Sequence, residues 1–131
     1  MYTDPIADML NRIRTAQMVS KKVVDIPFSK EKYSIAECMK NAGFVENIAK
    51  KKKENLKYLR VYLKYNENNE PVIQEIKRIS SPGQRIYVKS KELKKIRGGA
   101  GISIISSSKG LMTNREAKEK NLGGEVLCEV W

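Results

Sequence analysis

At 131 residues the chain has room for one ordinary domain or two small ones sharing a modest core, and nothing larger. Its 26 Lys plus Arg against 15 Asp plus Glu leave a formal charge of +11, a self-repulsion usually carried by a small protein whose partner is a polyanion: nucleic acid first, acidic membrane second. There is no histidine, which removes the commonest general base and metal ligand and ends most hydrolase readings.

The opening Thr3-Asp4-Pro5 is a helix-start signal, since Thr3 or Asp4 accepts orphan N–H bonds and Pro5 has no donor to leave unpaired. Ile6, Met9, Leu10 and Ile13 follow at i, i+3, i+4 and i+7, so one face is buried and Arg12 lies off it. Val23 to Ile26 reads as a short strand ended by Pro27. Ser29 then caps a helix running to about Asn41 and stopped at Gly43, with Phe28 and Tyr33 placed as a hydrophobic staple. Two strands, Phe44 to Lys50 and Tyr58 to Tyr65, complete an α-β-α-β-β half.

Asn66 to Pro71 is polar turn chemistry and the natural boundary. A strand is expected over Val72 to Ile79, then a type II turn at Ser80-Ser81-Pro82-Gly83, then a strand over Arg85 to Val88. Ser90 opens at most a short helical turn to Ile96, and Gly98-Gly99-Ala100-Gly101 is a loop feeding the apolar strand Ile102 to Ile105. After the tight turn Ser106-Ser107-Ser108-Lys109-Gly110, Thr113 and Glu116 form a capping box for a helix to about Lys120, stopped by Asn121 and the Gly123-Gly124 pair. Glu125 to Trp131 closes the chain as a strand. The elements read as α+β in two halves, the first α-β-α-β-β and the second mostly β with one short helix. The divisions fall at 1–65, at 66–76 as joint and first strand region, and at 77–131.

Charge follows the same division. Residues 1–65 hold 14 basic and 7 acidic groups, residues 66–76 hold three glutamates and no base, and residues 77–109 hold nine basic groups against Glu92 alone. Residues 110–131 return to three basic against four acidic.

Three hydroxyls after an apolar strand, with Lys109 beside them, suit contact with phosphate, ribose or base edges. From pattern alone, a serine-rich turn chosen only for its conformation is the favoured reading. Catalysis by a serine activated through Lys109 has poor geometry and no other base. The Gly98-to-Gly101 loop contains a G-x-x-G, but it leads into a strand rather than joining helices, and no Gly-Lys-Ser/Thr follows, so a structural loop is the better reading. Lys50 to Lys53 is either a solvated hairpin end or a tip that rides on a phosphate backbone. Lys77, Arg78, Arg85, Lys89, Lys91, Lys94, Lys95 and Arg97 bracket the serine turn in sequence. Among them Tyr87 is placed either to stack on a base or to be buried. Cys38 and Cys128 are too few and too far apart for a disulfide framework or a thiolate metal cage, and both are expected to be buried small apolar residues.

With those segments in place the chain resembles, from end to end, the family of the bacterial small-subunit ribosomal protein conventionally numbered eight. The marks are TDPIADMLNRIRTA from Thr3 to Ala16, IPFSKEK from Ile26 to Lys32, NAGF from Asn41 to Phe44 and KRISSPGQRIYV from Lys77 to Val88. GISIISSSKGLMTNREA from Gly101 to Ala117 and the terminal LGGEVLCEVW complete them. The resemblance implies that the two halves are two small packed subdomains, and that the protein is a structural constituent of the small subunit, not an enzyme and without cofactor or metal. It implies a primary binder of the central domain of 16S ribosomal RNA that helps assemble the 30S platform. It also implies neighbours among the small-subunit proteins numbered five and twelve, and, in some members, binding to the protein's own operon mRNA.

By position, the family's Ser-Thr-Ser recognition turn falls on Ser106, Ser107 and Ser108, with Ser107 replacing the threonine, and is completed by Lys109 and Gly110. Tyr87 is the aromatic of the RIYV strand, with Arg85 and Lys89 flanking it, and Thr3, Asp4, Arg14, Ser29 and Lys30 match family positions near RNA. The family's proline near Lys94 is missing here and the approach to Gly101 is richer in glycine, so contacts from Leu93 to Ala100 do not carry over. No run approaches the 18 apolar residues of a spanning helix and no secretion signal opens the chain, so the expectation is a soluble protein of cytoplasmic or organellar ribosomes, without a membrane partner. The competing expectation is a sequence-tolerant nucleic-acid chaperone, which the dense order of caps and turns and the lack of a disordered basic tail weaken.

Overall fold

The computed structural model describes residues 4–131. They fall into two compact units, one made of residues 5–74 and the other of Asp4 with residues 75–131.

In the first unit the order is α1 (Pro5–Met18), β1 (Val23–Pro27), α2 (Lys30–Asn41), β2 (Val45–Lys53) and β3 (Leu56–Leu63). The apolar stripe of α1 is buried at Ile6, Met9, Leu10, Ile13 and Ala16, as the spacing predicts. The Ser29 hydroxyl accepts the Lys32 amide at 3.1 Å, a cap worth about 1 kcal/mol. The Phe28 and Tyr33 rings stand 6.2 Å apart as the staple, and Gly43 takes a left-handed φ of +85° where the helix stops. The three strands pair antiparallel in the order β1-β3-β2, with Leu59, Val61 and Leu63 of the central strand buried. Pro27 belongs to β1 rather than ending before it, which an edge strand tolerates because the missing donor faces no partner. The hairpin is longer at its tip than expected, because a turn of only Glu54 and Asn55 lets Lys51, Lys52 and Lys53 pair with Tyr58, Lys57 and Leu56.

The strand expected over Val72 to Ile79 is shortened. The Asn66 side-chain oxygen accepts the amides of Asn68 and Glu70, which curls the polar loop so that the Val72 amide returns to the Lys64 carbonyl. Val72 therefore pairs within the first unit, and only β4 (Ile76–Arg78) forms a regular strand in the second. Cys38 is also only half-buried, whereas Cys128 is fully buried.

The second unit adds β5 (Tyr87–Val88), β6 (Ile102–Ser107), β7 (Gly110–Thr113), α3 (Asn114–Glu119) and β8 (Gly124–Val130). Its antiparallel sheet runs β4-β8-β6-β7, with β5 also on β8. Ile105, Met112 and Val126 pack with Leu93 and Ala117 as a core, against which Ile79, Val88 and Leu122 also rest. Half of the expected capping box forms, the Thr113 hydroxyl accepting the Glu116 amide at 3.3 Å while the Glu116 carboxylate binds Lys120 instead, and Asn121 adopts the left-handed conformation at the stop. Two further expectations hold only in part. The turn forms between Ser81 and Gln84 with Pro82 and Gly83 at its centre, as expected, but Gly83 lacks the positive φ that a type II turn requires. The strand from Arg85 shrinks to two residues: the Ile86 carbonyl still accepts the Val126 amide, but the Ile86 amide turns to the Ser80 hydroxyl.

Gly124 sets how closely β6 and β8 approach. A Cβ there would stand 2.2 Å from the Ser106 carbonyl oxygen, and both sides of that contact are backbone in a paired sheet. Gly124→Ala should therefore destabilise the protein by about 1 to 3 kcal/mol, read as a lower midpoint in urea unfolding at unchanged slope. A loss of under roughly 0.5 kcal/mol, within the ordinary range for a surface change, would show that the strands separate easily and that the close approach is not a constraint.

Candidate nucleic-acid interface

Most of the second sheet is buried on both sides, Ile102 and Ile104 included, but at the Ser106 end one side opens to solvent, and the register shows which residues share it. Glu125 of β8 lies opposite Tyr87 of β5 on one side and Ser106 of β6 on the other, and Ser106 in turn lies opposite Leu111 of β7. Directly opposed residues of an antiparallel pair point to the same side. Tyr87, Glu125, Ser106 and Leu111 thus form a row across four strands, on the face opposite the core residues Ile105, Val126 and Met112. Tyr87 is 68% exposed. A large ring left in water on a sheet that buries its other face is available for stacking.

The serine turn is the β6–β7 hairpin connection, with Ser107 paired to Gly110. Gly110 takes φ +107°, the left-handed position that closes such turns and that glycine adopts without strain. The three hydroxyls are not equivalent. That of Ser107 donates to the Gly110 carbonyl at 2.8 Å and accepts the Lys109 amide at 3.2 Å, so it is occupied in holding the turn. Those of Ser106 and Ser108 have no hydrogen-bond partner among the described residues, and Ser108, Lys109 and Gly110 are exposed. Ser106 therefore shares a row with Tyr87, with Glu125 between them, and the adjoining turn exposes Ser108 and Lys109.

A carboxylate in the middle of such a row would repel phosphate unless its charge were matched. Glu125 is matched twice: the Ser80 hydroxyl donates to it at 2.5 Å and the Arg85 guanidinium at 3.0 Å. Burial pushes the Glu125 carboxyl up, but the hydrogen bonds from Ser80 and Arg85 and the charges of Arg85 and Arg78 outweigh it, so its pKa lies below the ordinary 4.5. The same hydrogen bond raises that of Arg85. Ser80, fully buried, also accepts the Ile86 amide at 3.0 Å, so one hydroxyl ties the segment before Tyr87 to β8. The sequence reading missed both Ser80 and Glu125. The available signal was the one acidic side chain inside GEVLC, opposite strands that otherwise want apolar partners.

The remaining expected site residues are dispersed. Lys89 is exposed just beyond β5, its amide held by Glu92 at 2.8 Å. Asp4 makes a paired contact with Arg78 at 3.0 and 3.3 Å, both side chains largely buried, so it is part of the second unit's own framework. Arg14, Ser29 and Lys30 belong to the first unit. Arg14 bonds Asn11 on its own helix, Ser29 is the cap of α2, and Lys30 is exposed. Thr3 lies outside the described residues. A further unanticipated support is Asn114, buried, whose side chain accepts the Ser103 amide and donates to the Lys94 carbonyl.

The sequence model of the family described as Ribosomal protein S8 matches residues 4–131. The chain is 54% identical over 132 residues to the small ribosomal subunit protein uS8 of Rhodopirellula baltica, covering 99% of each chain. It is 50% identical over 131 residues to that of Halothermothrix orenii and 47% identical over 129 residues to that of Staphylococcus carnosus, covering at least 98% of each chain.

Because the folded pKa of Glu125 lies below its unfolded value, its contribution to stability is fully present above the unfolded value near 4.5 and is lost as pH falls through the folded one. An NMR titration of the side-chain carboxyl should give a midpoint below 4.5, and Arg85→Ala should raise it. A midpoint indifferent to Arg85→Ala would mean that the pair is not formed in solution.

Proposed function

The chain belongs to the Ribosomal protein S8 family, a non-enzymatic structural constituent of the small ribosomal subunit, and we propose that within that subunit it binds the central domain of 16S ribosomal RNA through the solvent-open side of its second sheet. The observation that carries this reading is Ser106, whose hydroxyl has no partner among the described residues, held in one row with the exposed Tyr87 across Glu125, whose carboxylate is already engaged, and followed by the exposed Ser108 of the adjoining turn. Hydroxyls supply directional bonds to ribose and base edges, the ring supplies stacking, and Lys109 and Lys89 supply charge, while Arg85 neutralises Glu125 within the surface. The rigid hairpin presents the hydroxyls already ordered, so little rotamer freedom is lost on binding. The same surface is the proposed reader of a matching structure in the protein's own mRNA, and the proposed outcome of RNA binding is ordering of the subunit's platform during assembly.

Hydroxyl and phosphate contacts should fail differently. Ser106→Ala or Ser108→Ala, each with its fold verified by circular dichroism and melting, should weaken binding to a central-domain RNA fragment by about 0.5 to 1.5 kcal/mol and lower its preference over unrelated RNA. Lys109→Ala should weaken both RNAs alike and reduce the slope of log affinity against log salt by about 1. Ser107→Ala should act mainly on stability, since its hydroxyl is used inside the turn. If both folded serine variants bound the cognate fragment with unchanged affinity and preference, recognition would lie elsewhere on the molecule.

A further inference from the structure

The first unit carries a second charged surface that the serine face does not account for. Pairing of β2 with β3 sets Lys52 directly opposite Lys57, and the Phe28 amide donates to the Lys57 carbonyl at 3.4 Å, which brings the start of α2 beside the hairpin. The result is a cavity of about 340 Å³ lined by Phe28, Lys30, Lys50, Lys51, Lys52 and Lys57. Lys50 is fixed by two rings, its ammonium 4.6 Å from the centre of Tyr33 and 5.6 Å from that of Phe28. Among the described residues none of the five lysines forms an ion pair with a carboxylate, although acid–base pairs form elsewhere on the same sheet, as at Asp25 and Arg60.

Like charges directly opposite on antiparallel strands are destabilising, and five ammonium groups around one cavity repel one another at any salt short of complete screening. A solvated hairpin end explains four consecutive lysines. It does not explain why Lys30 and Lys57, from two other segments, converge on the same cavity with no acid lining it. Resting on the RNA-binding reading above, we propose that this cavity is a separate cradle for the phosphate backbone of RNA. Lysine ammonium groups act there as undirected point charges, and half-buried Phe28 forms an apolar wall for a ribose or base. Such a site adds affinity without reading sequence.

The test uses the full chain with Lys51→Gln, Lys52→Gln and Lys57→Gln combined, titrated with the central-domain fragment and with an unrelated RNA duplex across a salt series. The expected result is weaker binding of both RNAs, a salt slope reduced by about 2 to 3, unchanged preference for the cognate RNA, and a melting temperature equal or higher because the Lys52–Lys57 repulsion is gone. Replacing the same three by arginine should keep the slope. Independently of any variant, Lys51, Lys52 and Lys57 of the unmodified protein should be protected from an amine-reactive reagent when the cognate RNA is bound. Unchanged affinity and slope in the glutamine variant, or undiminished labelling in the complex, would overturn the cradle and leave the cavity to an acidic protein or to solvent. Loss of preference in the serine variants tests the other face, so the two readings fail separately.

Discussion

Strand β8 is the element on which the C-terminal unit depends, because both of its edges are used: β6 lies along one, and β4 and β5 follow one another along the other. Its backbone donors and acceptors are thereby satisfied within the sheet, as a buried strand requires. The first two residues of the strand then do different work. Gly124 has no side chain, so the Ser106 carbonyl can come close enough to fix the height of the serine turn. Glu125, next in line, binds Ser80 and Arg85 and so fixes the segment that presents Tyr87. Two recognition elements that are distant in sequence are held in register by two adjacent residues of one strand.

The electrostatics follow from this arrangement. A protein with a surplus of eleven positive charges gains little from pairing every base, since pairing cancels the attraction that brings it to a polyanion. Acids in the second unit accordingly stand where they organise structure, Asp4 on Arg78 and Glu125 on Arg85, while Ser108 and Lys109 project without partners among the described residues. In the first unit the Lys50 to Lys57 hairpin goes further and keeps a like-charge pair face to face. Local repulsion of that kind lowers the stability of the isolated protein and is relieved on binding anions, so its cost and its use arise from the same charges.

Much of the fold was legible because it is written in local chemistry. Ser29 with the Phe28 and Tyr33 staple, Thr113 as a cap, and the alternation of Leu59, Val61 and Leu63 are short-range signals, and each formed as the spacing predicts. The two shortened strands share a cause. Val72 follows the curl of the Asn66 loop instead of starting a strand, and the Ile86 amide turns to the Ser80 hydroxyl. In each case hydrogen bonds to one side chain override strand propensity, and propensity carries no record of such bonds. The same limit applies to the interface. The serine turn stands out as a sequence motif, but that Ser107 is occupied while Ser106 and Ser108 are not, and that Glu125 lies between Ser106 and Tyr87, are matters of register that only the paired strands reveal.

Docking of RNA on the row formed by Tyr87, Glu125 and Ser106 can be read from the backbone amide resonances of the isotope-labelled full chain as a central-domain RNA fragment is added. The amides of Ser106 to Gly110 and of Tyr87 to Lys89 should shift and broaden saturably, while those of Ala117 and Met112 in the core stay in place. Saturable binding that left the serine turn and the Tyr87 segment unmoved would contradict docking there.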